Sequence, residues 1–243
     1  MTPGAVKDRI RETRMEGPVP AFTQPDWRSR FPWLAQGTTG RGEGPPFDLG
    51  LRGNVPVGSA LERWRALGDA LGFARMAHAR QVHGARVLTH DGGPPGLLLC
   101  DGYDGHVTAT PGVLLTVSVA DCVPVFLVDA RRRATALLHA GWRGIAASVL
   151  EEGLRTMIEV FATEPADLHM HLGPHICGRC YEVGPEVFRA LDLDAPAGPA
   201  PVDLAEVLTR RAVRAGVPRW QISTTAHCTR CGDAHFFSYR AQC

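Results

Sequence analysis

The chain is almost without lysine: Lys7 is the only one, and nearly every basic residue is arginine. That bias is compositional and carries no mechanism. An excess of either charge is lacking as well. Lysine and arginine number 26 against 25 aspartate and glutamate, a net charge of +1, so composition gives no electrostatic case for nucleic acid or an anionic membrane as partner. A small-molecule partner is the expectation that remains. There is no long hydrophobic run. The most apolar stretch, Val113 to Val128, is broken by Thr116, Ser118, Asp121 and Pro124, too soon for a membrane span of about 20 apolar residues, and it reads as core strands. Met1 to Gly17 alternates charges with small residues and has no apolar centre of a secretory signal, which points to the cytoplasm. An even cysteine count is missing too. Seven cysteines (100, 122, 177, 180, 228, 231 and 243) spread over a long chain argue against a secreted disulfide framework and for thiols used in catalysis or metal binding.

With 243 residues, 44% of them hydrophobic, the chain can bury a large core. Residues 1–30 are expected as a flexible N-terminal segment and 31–243 as a single catalytic domain. The Pro/Gly-rich opening as far as Val57 reads as lid or loop material. Ser59 is a candidate cap for a helix through Gly72, with Leu61, Trp64, Leu67 and Leu71 as its apolar stripe. Strands are expected at Val113 to Val119, Val123 to Val128, Thr135 to His139, Leu168 to Leu172 and Trp220 to Thr224. Helices are expected at Ile145 to Phe161, Pro185 to Leu191 and Asp203 to Ala215. Strands and helices interleave, so the class is α/β.

Three segments concentrate the chemistry: Gln81-Val82-His83-Gly84, Ala120-Asp121-Cys122 and His139-Ala140-Gly141-Trp142-Arg143-Gly144. They supply two imidazoles and a thiol, a set able to hold a metal with one position open. Singly, each has an ordinary explanation: a hydrogen-bonded histidine, an inert buried thiol, an arginine on a helix surface. Spacing links two of them. A hairpin closed by Asp129 to Arg132, pairing Val128 with Arg133, would set Cys122 directly opposite His139, with Cβ atoms about 4.5 to 5.5 Å apart. His83 would then arrive from a separate loop, with Gly84 allowing close backbone approach. Arg143, in a strand-to-helix turn, is a candidate for holding a phosphate or carboxylate.

The segments QVHG (81–84), ADCVPVFLVD (120–129), LLHAGWRG (137–144), GPHICGRCYEVG (173–184) and CT with FFSYRA (228–229, 236–241) resemble, in order and spacing, the YfiH-like family, whose members have been called polyphenol oxidase or laccase and also purine nucleoside phosphorylase. The resemblance implies a four-layer α/β/β/α sandwich and a zinc site at His83, Cys122 and His139. It also implies phosphorolysis of adenosine, inosine, guanosine and methylthioadenosine, with adenosine deamination as a second activity. Some members have been linked instead to editing of peptidoglycan precursors. The family's usual Phe-Ser-Thr-Arg with a glycine pair appears here only as Gly37-Thr38-Thr39-Gly40-Arg41-Gly42.

Coordination chemistry sorts these names. A multicopper oxidase needs several His-x-His pairs, and the chain has one, His169-Met170-His171. One thiolate and two imidazoles suit zinc, whose catalytic sites keep a fourth position for water or substrate. The His-x-Glu and Pro-Cys-x-x-Cys signature of the cytidine deaminases is absent. The expected partners are therefore purine nucleosides and phosphate, with the chain a monomer or small homo-oligomer. A metal-free Cys-His hydrolase or amidase, with Cys122 as nucleophile and His139 as base, is the alternative, and a non-enzymatic cell-wall factor is a third. Copper is the less favoured metal. Separately, Cys177-Gly178-Arg179-Cys180 and Cys228-Thr229-Arg230-Cys231 form two CxxC pairs, the usual half-sites of a structural zinc, though much farther apart than the common spacing of about 15 to 20 residues. Free thiols or a disulfide are the competing reading. Only Cys180 and Cys228 match positions where the family carries cysteine.

Overall fold

The computed structural model describes residues 9–51, 55–232 and 234–241. Its main sheet has seven strands in the order Arg9–Ile10, Ile222–Thr225, Leu168–Leu172, Val123–Asp129, Ala134–Ala140, Gly105–Thr108 and Val87–His90. Val123–Asp129 is buried at every position because both faces of the sheet are covered, which is why it reads as a continuous apolar run. Alternation sends Val125 and Leu127 one way, against helices Val149–Phe161 and Leu204–Arg214. Phe126 and Val128 point the other way, against Trp27 and Phe31 of the N-terminal region. A second sheet sets Arg75–Arg80 between Gly96–Asp101 and Val113–Leu115, all parallel, and helix Val57–Leu71 packs Trp64 and Leu67 onto its Met76. The class is mixed α/β, as expected, and that helix stops at Gly72 in the left-handed region, φ 73°.

That helix begins at Val57 after Pro56, so Ser59 lies within it and is not its cap, and four larger expectations also need correction. Residues 9–30 are built into the fold. Arg9–Ile10 extends the main sheet, Thr13–Arg14 and Ala21–Thr23 begin a small sheet completed by Thr38–Thr39, and Gln24 caps helix Pro25–Arg30 through the Trp27 N–H. Strands of two or three residues carry too little alternation to be read from sequence. Second, the expected Ile145–Phe161 helix is two, Trp142–Ala146 and Val149–Phe161, broken where Ser148 takes φ 68°. Third, the strand from Val113 ends at Leu115, and residues 116–122 run as irregular chain along the cavity described below. Fourth, the central hairpin is closed by residues 130–133, so Val123 faces Ala140 and Pro124 faces His139. The buried Asp129 carboxylate causes the shift: its Oδ1 accepts the N–H groups of Arg131 and Arg132 at 3.0 and 3.1 Å, and Arg133 takes φ 51°. That turn makes Asp129 the last paired residue, with Ala134 opposite.

The N-terminal region is tied down by Glu12. Its carboxylate is buried, accepts from Thr225 Oγ1 at 2.7 Å and meets His171 Nε2 at 3.0 Å. Burial works to raise the Glu12 pKa, but these partners outweigh it and hold the group below its ordinary value. A lowered folded-state pKa contributes stability above the unfolded value that is lost as pH falls through the folded one. Glu12→Ala is expected to lower unfolding free energy by about 3 kcal/mol at pH 7, measured by urea denaturation, with the gap from wild type narrowing in acid below the ordinary carboxylate range. A loss under about 0.5 kcal/mol at pH 7 would show that the contact is idle.

Candidate active site

His83, Cys122 and His139 come together. One potential ligand atom from each lies within 4.8 Å of the other two. The corrected register makes this a diagonal meeting: Cys122 lies just before its strand, two positions out of line with His139, and on the same face of the hairpin. Gly141, at the end of the partner strand, makes room between them. A Cβ there would fall 2.8 Å from Cys122 Sγ and 3.1 Å from His83 Cδ2. Gly84, by contrast, is not needed for space, since a Cβ there would meet atoms only at ordinary contact distances. His83 arrives from the loop after Arg75–Arg80 with φ 58°, and its ring stands edge-on to His139 at 4.7 Å between centroids.

Asp104 organises all of this, and sequence reading missed it. Fully buried, its carboxylate accepts the N–H groups of Val82, His83 and Gly84 at 3.1, 2.9 and 2.8 Å, fixing the His83 loop. Its Oδ1 also lies 2.8 Å from His139 Nδ1, and its backbone carbonyl accepts the His139 N–H at 2.7 Å. With Nδ1 engaged, Nε2 of His139 is the nitrogen turned to Cys122 and His83, the orientation a metal-binding histidine takes when a carboxylate holds its other nitrogen. The only signal in the sequence was a lone acidic residue beside the buried strand Gly105–Thr108.

The electrostatics follow from these contacts. Burial works against charge on both Cys122 and His139, and hydrogen bonding reverses it. His139 and His83 bring the Cys122 thiol down to about 7, while Asp104 and then Cys122 raise His139 to about 9. Burial opposes the Asp104 carboxylate too, but His139 and the loop amides hold it below its ordinary range.

Arg143 lines the same cavity, of about 1510 Å³, as His83, Cys122 and His139. Its guanidinium is exposed and stacks 4.3 Å above the Trp142 ring. The helix at this point has only five residues and no side-chain cap, so the guanidinium, and not a helix dipole, is its charge-bearing feature. Gly37, Thr38 and Thr39 form part of the cavity wall, whereas Arg41 stacks on Phe237 at 5.3 Å. Gln81 secures the irregular segment before Cys122, donating to Ser118 O at 2.8 Å and accepting from its N–H at 2.7 Å. His169 and His171 take no part here: His171 is held at both ring nitrogens, by Ser223 Oγ at 2.9 Å and Glu12, and His169 packs on Phe31.

The two CxxC pairs also converge. The four sulfurs of Cys177, Cys180, Cys228 and Cys231 lie within 4.8 Å of one another, and Cys228 Sγ accepts the N–H groups of Cys177 and Cys231 at 3.3 and 3.4 Å. Cys100 is half-buried on the second sheet and joins neither cluster, and Cys243 lies outside the described residues.

Comparison with known proteins agrees with the motifs. The family model for multi-copper polyphenol oxidoreductase laccase matches residues 47–243, and the chain belongs to that family, the YfiH-like one its motifs resemble. The chain is 37% identical over 208 residues to the purine nucleoside phosphorylase of Deinococcus radiodurans, spanning 81% of this chain and 78% of that one. It is also 37% identical over 182 residues to adenosine deaminase RL5 from an unknown prokaryotic organism, 66% of this chain and 68% of that one. The crystal structure of YlmD from Geobacillus stearothermophilus matches with a TM-score of 0.84 at 26% identity, covering 95% of this chain and 94% of that one. No helix among the described residues is long and apolar enough to cross a membrane.

In metal-free protein, alkylation of Cys122 by iodoacetamide, followed by peptide mass spectrometry, is expected to titrate with a midpoint near pH 7. Asp104→Asn, which removes the anion that favours imidazolium at His139, is expected to move that midpoint up. A midpoint near the ordinary thiol value in the unsubstituted protein would contradict the described geometry.

Proposed function

We propose that the chain is a zinc-dependent enzyme of purine nucleosides, catalysing phosphorolysis of adenosine, inosine, guanosine and methylthioadenosine and deamination of adenosine. The observation that carries this reading is the convergence of His83, Cys122 and His139, buttressed by Asp104, on the wall of a cavity that also holds Arg143. The names of the relatives in Deinococcus radiodurans and of RL5 support it. One thiolate and two imidazoles with an outer carboxylate fit zinc. The four-layer arrangement belongs to the same reading, supported by the helices packed on each sheet.

When bound, zinc supplies a Lewis acid at its open position, able to polarise water or a substrate atom. The chain's own residues do the rest. Asp104 holds the proton on His139 Nδ1 and so keeps the Nε2 lone pair for the metal. Arg143 binds phosphate by charge-assisted hydrogen bonds at the cavity wall. In phosphorolysis a phosphate oxygen bonds to C1′ of the ribose as the glycosidic bond breaks and its electron pair leaves with the purine. In deamination water adds its oxygen at C6 and ammonia departs. A cavity of about 1510 Å³ exceeds the common range of small-ligand pockets, about 300 to 1,000 Å³, and has room for nucleoside and phosphate together.

One observation favours a second reading. Cys122, His139 and Asp104 stand in the order nucleophile, base and orienting carboxylate, the arrangement of a Cys-His hydrolase or amidase. Peptidoglycan-precursor editing would fall in that class. A copper-dependent polyphenol oxidase has less support, because the one His-x-His pair is committed to Glu12, Ser223 and Phe31.

The assay is release of free base from adenosine and inosine with and without phosphate. Phosphate-dependent release is expected. His83→Ala and Cys122→Ala are expected to lose more than about 100-fold in kcat/KM, beyond the usual cost of even an outer-shell change. Arg143→Gln is expected to raise the KM for phosphate about 10- to 100-fold, the worth of one or two charge-assisted hydrogen bonds. Absence of turnover for every nucleoside tested would sink the proposal.

A further inference from the structure

The two CxxC pairs form a second cluster, separate from His83, Cys122 and His139. We infer that Cys177, Cys180, Cys228 and Cys231 bind a structural zinc as a tetrathiolate and that this metal fixes the C-terminal segment that supports the turn before Cys122. The inference goes beyond the nucleoside reading and does not depend on it.

Four thiolates around zinc at about 2.3 Å place tetrahedral sulfurs about 3.8 Å apart. Cys177 Sγ and Cys231 Sγ stand 3.9 Å apart, and all four sulfurs fall within 4.8 Å. The four cysteines are free, and the 3.9 Å between Cys177 and Cys231 is far beyond a disulfide bond of about 2.05 Å. The backbone treats Cys228 as an anion: two amide N–H groups, from Cys177 and Cys231, point at its sulfur at 3.3 and 3.4 Å. Each pair carries an arginine between its cysteines, Arg179 and Arg230, and Arg230 folds back to donate to Cys180 O at 2.9 Å. The Arg230 cation, held at the cluster by that bond, offsets part of the net negative charge that four thiolates leave on one divalent ion. Cys228 is buried and Cys231 exposed, so metal has an entry path while one side of the site stays closed. On binding, zinc takes four Zn–S bonds and the thiol protons pass to solvent.

The contacts around the knot say what it does. Cys228 pairs by a parallel bridge with His175, and Thr229 N–H donates to His175 O at 3.0 Å. Thr229 Oγ1 then donates to Asp121 Oδ1 at 2.6 Å, and the Arg240 N–H donates to Asp121 Oδ2 at 2.7 Å. Ile176 N–H closes the ring on Asp121 O at 3.1 Å. Asp121 has φ 90°, a conformation costly for a residue with a side chain unless its surroundings impose it. It immediately precedes Cys122. The tetrathiolate therefore joins, through one residue on each side, the two strands of chain that hold this turn. Asp121 and Thr229 are positioning residues in this scheme, since they act on Cys122 through the backbone.

The test uses the full chain carrying Cys122→Ala, which removes the thiol of the other cluster. One zinc per chain is expected by inductively coupled plasma mass spectrometry, and cobalt replacement is expected to give the intense ligand-field and charge-transfer bands of a tetrahedral tetrathiolate. Adding Cys177→Ser and Cys231→Ser is expected to abolish both and to speed hydrogen exchange at the amides of Thr229 and Arg240. If the multiple variant fails to fold, the cobalt spectrum of the Cys122→Ala chain decides alone. Metal-free Cys122→Ala protein, a cobalt spectrum with fewer than four thiolates, or a Cys177–Cys231 disulfide in unreduced protein would each overturn the inference.

Discussion

One buried carboxylate organises the site. Asp104 sits where the strand Gly105–Thr108 enters the main sheet, and its two oxygens collect three consecutive loop amides and an imidazole nitrogen. Leaving such a charge in the interior without partners would cost several kcal/mol. The chain meets that requirement by folding the His83 loop around it and by turning His139 so that Nδ1 faces inward. Both histidines of the cluster are thus placed by one anion, and the position of its third member, Cys122, is set independently by the turn at Asp121.

The two halves of the site are supported by different physics. The exposed His83 is placed through its loop amides and the buried His139 through its ring, both by hydrogen bonds to the buried Asp104 carboxylate, where such bonds are strong and an unpaired group is costly. Cys122 is held by backbone geometry: a positive-φ aspartate clamped from Thr229, Arg240 and Ile176. Between them Gly141 leaves the space that any side chain would fill. On the cavity wall beside them is Arg143, an exposed charge stacked on Trp142, open to an anion that must enter and leave. The proposed chemistry uses this division, with the proposed metal ligands fixed by internal contacts and the anion contact exposed.

Much of this was legible in the sequence. The central strands declared themselves as apolar runs, the Trp64 helix by its stripe and by Gly72, and the three chemical segments by their residue types. The hairpin placed Cys122 and His139 on one face, although the register was two positions out because the Asp129 side chain builds its own turn. The N-terminal strands were hidden by their shortness. Asp104 was hidden because a buried acid looks, in sequence, like any exposed one, and its significance lies in partners drawn from residues 82–84 and from His139, which only the fold brings together. The break at Ser148 was likewise invisible, since nothing in its composition interrupts the apolar periodicity of Val149–Phe161. The CxxC pairs stood out despite their separation, and parallel pairing at His175 and Cys228 is what closes the distance.

The proposed function makes nucleoside turnover depend on zinc at His83, Cys122 and His139. Its most direct test is a titration of zinc into chelated protein while phosphate-dependent release of hypoxanthine from inosine is followed. The expected result is activity that is lost on chelation, returns in proportion to the zinc regained, and never returns in Cys122→Ala protein given the same metal. Full activity in the chelated sample would contradict zinc dependence and leave Cys122, His139 and Asp104 as a metal-free catalytic triad.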